Sequence, residues 1–142
     1  MGELIGLPEW LARTLFVLVV LGGWLGLGFV LHRRGSKRLA AKRPSLCREQ
    51  FIALLAVDAD ADIAAWLWDQ ALPYYDPLTP HPDDHLLDDA MIDDDDIDLY
   101  WWREFAKAMA LDEASWPQWP QDWPLTMRNF ARWLQLARRA QG

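Results

Sequence analysis

Cysteine occurs once, at Cys47, so the chain can form neither an intrachain disulfide nor a multi-cysteine metal centre, and a lone thiol suits a reducing compartment. Lysine and arginine are missing between Arg48 and Arg103, an interval that holds 15 carboxylates counting Glu49. A surface built from that interval repels a phosphate backbone, which excludes nucleic acid as a direct partner and favours a basic protein. Serine is confined to Ser36, Ser45 and Ser115. No nucleophile stands beside a base at a convincing spacing, no glycine-rich phosphate loop occurs, and no carboxylate pair comes with an identifiable substrate pocket. These absences point away from an enzyme and from a bound cofactor.

What is present divides in two. The 142 residues allow one modest domain and an appendage, and the net charge of -7 is the sum of unlike parts. Residues 1–43 carry a balance of +5, whereas residues 44–142 carry -12. Ten tryptophans supply much apolar bulk for so short a chain.

From Thr14 to Leu31 no residue bears a formal charge, and the run Trp10 to Leu31 can cross a hydrocarbon core of roughly 30 Å at about 1.5 Å per residue. A retained transmembrane helix is expected. A cleaved signal peptide would start positively charged, but Glu3, Glu9 and Arg13 precede the run, and no small-x-small cleavage site follows it. Pro8-Glu9-Trp10 reads as the helix start, with Trp10 as an interfacial anchor. Arg33, Arg34, Lys37 and Arg38 follow the span, so the positive-inside rule predicts a single-pass protein of the inner membrane, its N-terminus outside and its C-terminal part cytoplasmic. The same cations suit anionic lipid head groups. Gly22 and Gly26 have the spacing that lets two membrane helices approach and form a homodimer, although glycine is common in such helices anyway.

The expected organisation is therefore residues 1–32 as N-terminal segment and span, 33–45 as basic linker and 46–142 as an acidic, Trp-rich helical domain. Ser45 reads as the cap of a helix over 46–57, and Asp58-Ala59-Asp60-Ala61-Asp62 as the acidic lead into another over 63–72, stopped by Pro73. Asp58, Asp60, Asp62 and Asp69 match the first, third, fifth and twelfth places of a calcium loop, but Ile63 stands where that loop needs glycine. His81 and His85 sit in a proline-rich stretch, and Pro82 spoils the register of an i, i+4 zinc pair, so a solvated loop is expected. Trp116-Pro117, Trp119-Pro120 and Trp123-Pro124 form an extended segment, read either as closing a small core or as an aromatic contact surface. Thr126 caps a last helix over 127–140, with Met127, Phe130, Trp133, Leu134 and Ala137 inward.

Between these parts, Asp93 to Asp96 lead into apolar positions 97, 101, 105 and 108/109, the pattern of a helix whose N-terminus is capped and stabilised by carboxylates. Leu86 and Leu87 form a small apolar plug before it. The candidate partner-binding residues are Asp93, Asp94, Asp95, Asp98, Tyr100 and Glu104, an acidic face with an aromatic contact.

This order of a first helix, a long loop ending in a plug, an acid-led helix and a last helix opened by Pro124-Leu125-Thr126-Met127-Arg128 resembles the acyl carrier protein fold and a related family of small acidic bacterial proteins of unknown function. The resemblance spans about residues 48–140. It implies an all-α protein, a transmembrane helix followed by a small acyl-carrier-like bundle. In the carrier family a serine at the start of the second helix holds phosphopantetheine. Asp93 takes that place here, and a carboxylate cannot form the phosphodiester. The resemblance then implies a recognition face without an acyl chain: an adaptor, regulator or immunity-type module. Alternatives are a carrier-like accessory of acyl, lipid or polyketide metabolism at the membrane, and a divalent-cation sensor using Asp58, Asp60, Asp62 and Asp69 or Asp93 to Asp96.

Overall fold

A computed structural model describes residues 9–142, for residues 9, 29, 32–37 and 42 the backbone alone. The chain is mostly helical, with no strand among the described residues, and divides into two compact units, Met1–Arg38 and Leu39–Gly142. Helix α1 runs Glu9–Lys42, and its stretch Trp10–Gly28 is long and apolar enough to cross a membrane. Most apolar side chains of that stretch, Trp10 and Trp24 among them, are exposed, whereas Leu39 near the end of α1 is buried. Apart from the neighbouring residues and backbone of α1 itself, no heavy atom lies within 4 Å of where a Cβ would stand on Gly22 or Gly26. Arg38 is exposed, while Pro8 and the side chains of Arg33, Arg34 and Lys37 lie outside the described residues.

In the second unit α2 (Arg48–Leu55) and α3 (Ala61–Ala71) pack together, and α3 packs on α5 (Met127–Gln141). Helix α2 is shorter than the expected 46–57 and is not capped by Ser45. Cys47 is its N-cap, and Gln50 reaches back so that its Oε1 accepts from the Cys47 N–H at 2.9 Å. Helix α3 starts after Asp60 and ends where Pro73 turns the chain into a short 3₁₀ turn, Leu72–Tyr74. The central helix differs most from its expected form. It opens as a π-helical segment, Asp96–Trp101, and only then becomes α4, Trp102–Ala108. Inward positions four residues apart, Ile97, Trp101 and Phe105, outrun the 3.6 residues of an α turn, and the widened turn absorbs the excess.

These elements close on one core. Phe51 and Trp68 meet with ring centroids 5.3 Å apart, Trp66 and Phe105 at 5.1 Å, and Trp101 and Phe130 at 5.8 Å, so aromatic contacts join every helix of the unit. The expected inward side of α5 is all buried: Met127, Phe130, Trp133, Leu134 and Ala137. Leu86 is fully buried as the plug, and Leu87 half-buried.

The loop between α3 and the central helix is not solvated as expected. Pro80, Pro82, Asp84 and Leu86 are buried because this loop supplies what the N-terminus of α5 needs. The Met127 N–H donates to the Asp84 carbonyl at 2.9 Å, and the Arg128 N–H to that of Pro82 at 2.7 Å. The Asn129 N–H donates to Thr126 Oγ1 at 3.2 Å. Three amides that a helix start leaves unpaired are thereby satisfied.

Buried beside that loop is an ion pair. Arg43, from the basic segment, and Asp84 are 9% and 3% exposed, with Nε to Oδ1 at 2.8 Å and Nη2 to Oδ2 at 2.6 Å. The Tyr75 hydroxyl donates to the same carboxylate at 2.8 Å, and its proton is held far more tightly than usual by burial and then by the Asp84 charge.

Candidate functional site

The acid-led segment presents its carboxylates unevenly. Asp93, Asp94 and Asp95 are exposed, and Asp93 Oδ1 accepts from the Asp95 N–H at 3.2 Å, so Asp93 acts as the cap. Asp96 turns inward and takes the Tyr74 hydroxyl at 2.8 Å. Asp98 lies one turn further on, its carboxyl raised above the ordinary range by burial and then by the charges of Asp94 and Asp95. The structure therefore brings Asp94, Asp95 and Asp98 into one field. Tyr100, 59% exposed, and Glu104, also exposed, belong to the same element, but no hydrogen bond or ion pair joins either to that trio.

Elsewhere in the unit several acids are matched by arginine. Asp58 accepts from Arg128 and from Arg132, the latter at 2.6 Å. Arg138 meets both oxygens of Asp62 at 2.7 Å, Arg48 reaches Asp69 at 3.0 Å, and Arg128 also holds Asp83 at 3.0 Å. The carboxylates with calcium-loop spacing thus face guanidinium groups, most of them from α5. Among the described residues, no three or more His, Cys, Asp or Glu gather as a group that could hold a metal ion. His81 and His85 instead accept from nearby backbone amides, those of Asp83 and Asp88.

A cleft of about 460 Å³ opens beside Asp98. The π-helical segment contributes Ile97 and Asp98, α4 contributes Trp102, the Trp-Pro segment contributes Trp116 to Trp119, and α5 contributes Phe130 and Trp133. Each tryptophan of the Trp-Pro segment is half-buried and packed on the core, so this segment forms part of the core wall while two of its indoles, Trp116 and Trp119, also line the cleft. Trp119 stacks edge-on to Trp133 with centroids 5.4 Å apart, and Trp116 does so at 5.7 Å. Sequence reasoning singled out Asp98 but not Trp102, Trp119 or Trp133 as neighbours in one cavity. The Asp98/Trp102 spacing of four, set against the Trp-Pro repeat, was the available signal.

No protein-family model matches this chain, nor does any curated protein or solved structure.

Proposed function

We propose that this chain is a membrane-anchored, non-enzymatic interaction module whose acid-led face docks a basic protein partner. One observation carries the reading. Asp58, Asp62, Asp69, Asp83 and Asp84 are matched internally by arginine, whereas among the described residues no Lys or Arg pairs with Asp93, Asp94, Asp95 or Asp98. Exposed carboxylates left in one field repel one another in the isolated protein, and a cationic partner removes that repulsion while steering itself to the face.

The apolar α1 stretch supports a lipid address, and the cations after it support the orientation with α2 to α5 in the cytoplasm. The buried Leu86 plug ahead of an acid-led helix supports an acyl-carrier-like arrangement of the second unit, with Asp93 in the place of the carrier serine and hence no prosthetic arm.

The test is capture of a partner from native membranes by the full chain at low and high salt, beside the variant Asp94→Asn/Asp95→Asn/Asp98→Asn. The reading expects a basic protein that is retained by the wild type at low salt and lost both at high salt and with the variant. Retention that ignores salt and all three substitutions would sink it.

A further inference from the structure

The cleft beside Asp98 has a lining of unusual uniformity. Its floor is Ile97, Phe130 and Trp133, all buried, and its sides are the indoles of Trp102, Trp116 and Trp119. Free polar hydrogens are scarce there because three of the four lining indole N–H groups are occupied. Trp102 donates to the Asp98 carbonyl at 2.7 Å, Trp119 to that of Trp123 at 3.2 Å, and Trp133 to that of Pro117 at 2.9 Å. The fourth, Trp116 Nε1, is buried without an acceptor. An anionic ligand would find neither lysine nor arginine in the lining; apart from the Gln118 amide, the donors are three indole N–H groups already committed and that of Trp116, which is buried from the cavity surface.

What the rings still offer is their π-systems, whose faces carry negative potential and attract cations. Arg103 already makes such a contact, its guanidinium carbon 5.2 Å from the centre of the Trp102 ring. The one formal charge in the lining is the Asp98 carboxylate, and Asp94 and Asp95 reinforce its field. A volume of about 460 Å³ suits a small molecule, since such sites run from about 300 to 1,000 Å³.

We propose that this cleft binds a small organic monocation, an ammonium or quaternary ammonium group on an apolar body, with the charged head beside Asp98 and the body against the indoles. One carboxylate sets the charge at one, and the apolar floor rewards a hydrocarbon or aromatic skeleton. The inference goes beyond the docking reading, because it requires the cavity and no protein partner. A cleft that stays empty would leave the capture experiment untouched, and failed capture would leave the cleft's result standing.

The test uses the full chain in non-ionic detergent and benzyltrimethylammonium as the probe, followed by calorimetric titration and by tryptophan emission. Its uncharged isostere neopentylbenzene and the anion phenylacetate serve as comparisons. Saturable 1:1 binding of the cation is expected, with the isostere at least about tenfold weaker and the anion not bound. Asp98→Asn, at an exposed position that leaves the core intact, should weaken the cation about two- to fivefold and leave the isostere unchanged. Trp119→Leu should weaken both, its fold checked by circular dichroism. Equal affinity for cation and isostere, or for wild type and Asp98→Asn, would overturn the proposal, as would the absence of saturable binding.

Discussion

Replacing Arg43 by Met removes the cationic half of the Arg43–Asp84 pair while keeping most of the side-chain volume. Asp84 would then be a carboxylate, 3% exposed, held only by the Tyr75 hydroxyl at 2.8 Å and the His81 N–H at 3.2 Å, and the Thr79 carbonyl would lose its 2.8 Å donor. Breaking a buried pair by deleting one partner typically costs about 3–5 kcal/mol, because the remaining charge keeps its desolvation penalty and loses its compensation. With a urea slope of about 1–3 kcal/mol per molar for a domain of this size, the unfolding midpoint of the full chain should fall by at least about 1 M. Tryptophan emission reports it, since Trp68 and Trp101 are buried in this unit. The exposed Arg38 is the control, and Arg38→Met should leave the midpoint in place. A second arm tests the cause. Arg43→Met combined with Asp84→Leu and Tyr75→Phe removes charge and hydrogen-bonding groups together, and should recover at least half of the loss. An unchanged midpoint in Arg43→Met would refute the reasoning, and so would a triple variant no more stable than the single one.

Two further outcomes follow from local geometry. Helix α4 ends in a Schellman turn, with the Leu111 N–H on the Ala106 carbonyl at 2.8 Å and Ala110 at φ 53°, a left-handed conformation that favours glycine; Ala110→Gly should therefore raise stability by about 0.5–1 kcal/mol in urea titration. The His81 imidazole has its pKa lowered by burial and then by Arg43, so its folded-state pKa lies below the unfolded value of about 6.5; the stability that depends on its neutral form is whole above that value and is lost as pH falls through the folded pKa. Asp83 and Asp84 oppose the shift and Arg128 assists it. Wild type should weaken between about pH 7 and pH 5 more steeply than His81→Gln, and parallel curves would refute this.

Amphipathic periodicity made some elements legible and tertiary pairing hid others. The five inward residues of α5 and its Thr126 cap are local facts, set by spacing and one hydroxyl, and the structure has them in place. The acidic lead into α3 was legible as favourable to the helix dipole, but its stronger partners were not, because Arg128, Arg132 and Arg138 lie some 70 residues away in sequence. Arg43 read as one more cation after the span, for the same reason. The π-helical opening left a trace in the spacing of 97, 101 and 105, which an α-helical template smooths over. The cavity at Asp98 is assembled from four separate stretches, and no single one of them announces it.

The carbonyls of Pro82 and Asp84 that receive the first amides of α5 tie a mid-chain turn to the last segment in sequence. On the ribosome, the plug, the proline turn and the tryptophan wall have no surface to close against until Met127 and the residues after it emerge. A product clipped inside residues 116–126 would be left with bare indoles and unshielded aspartates together, a ready target for proteolysis rather than a smaller working version of the same protein.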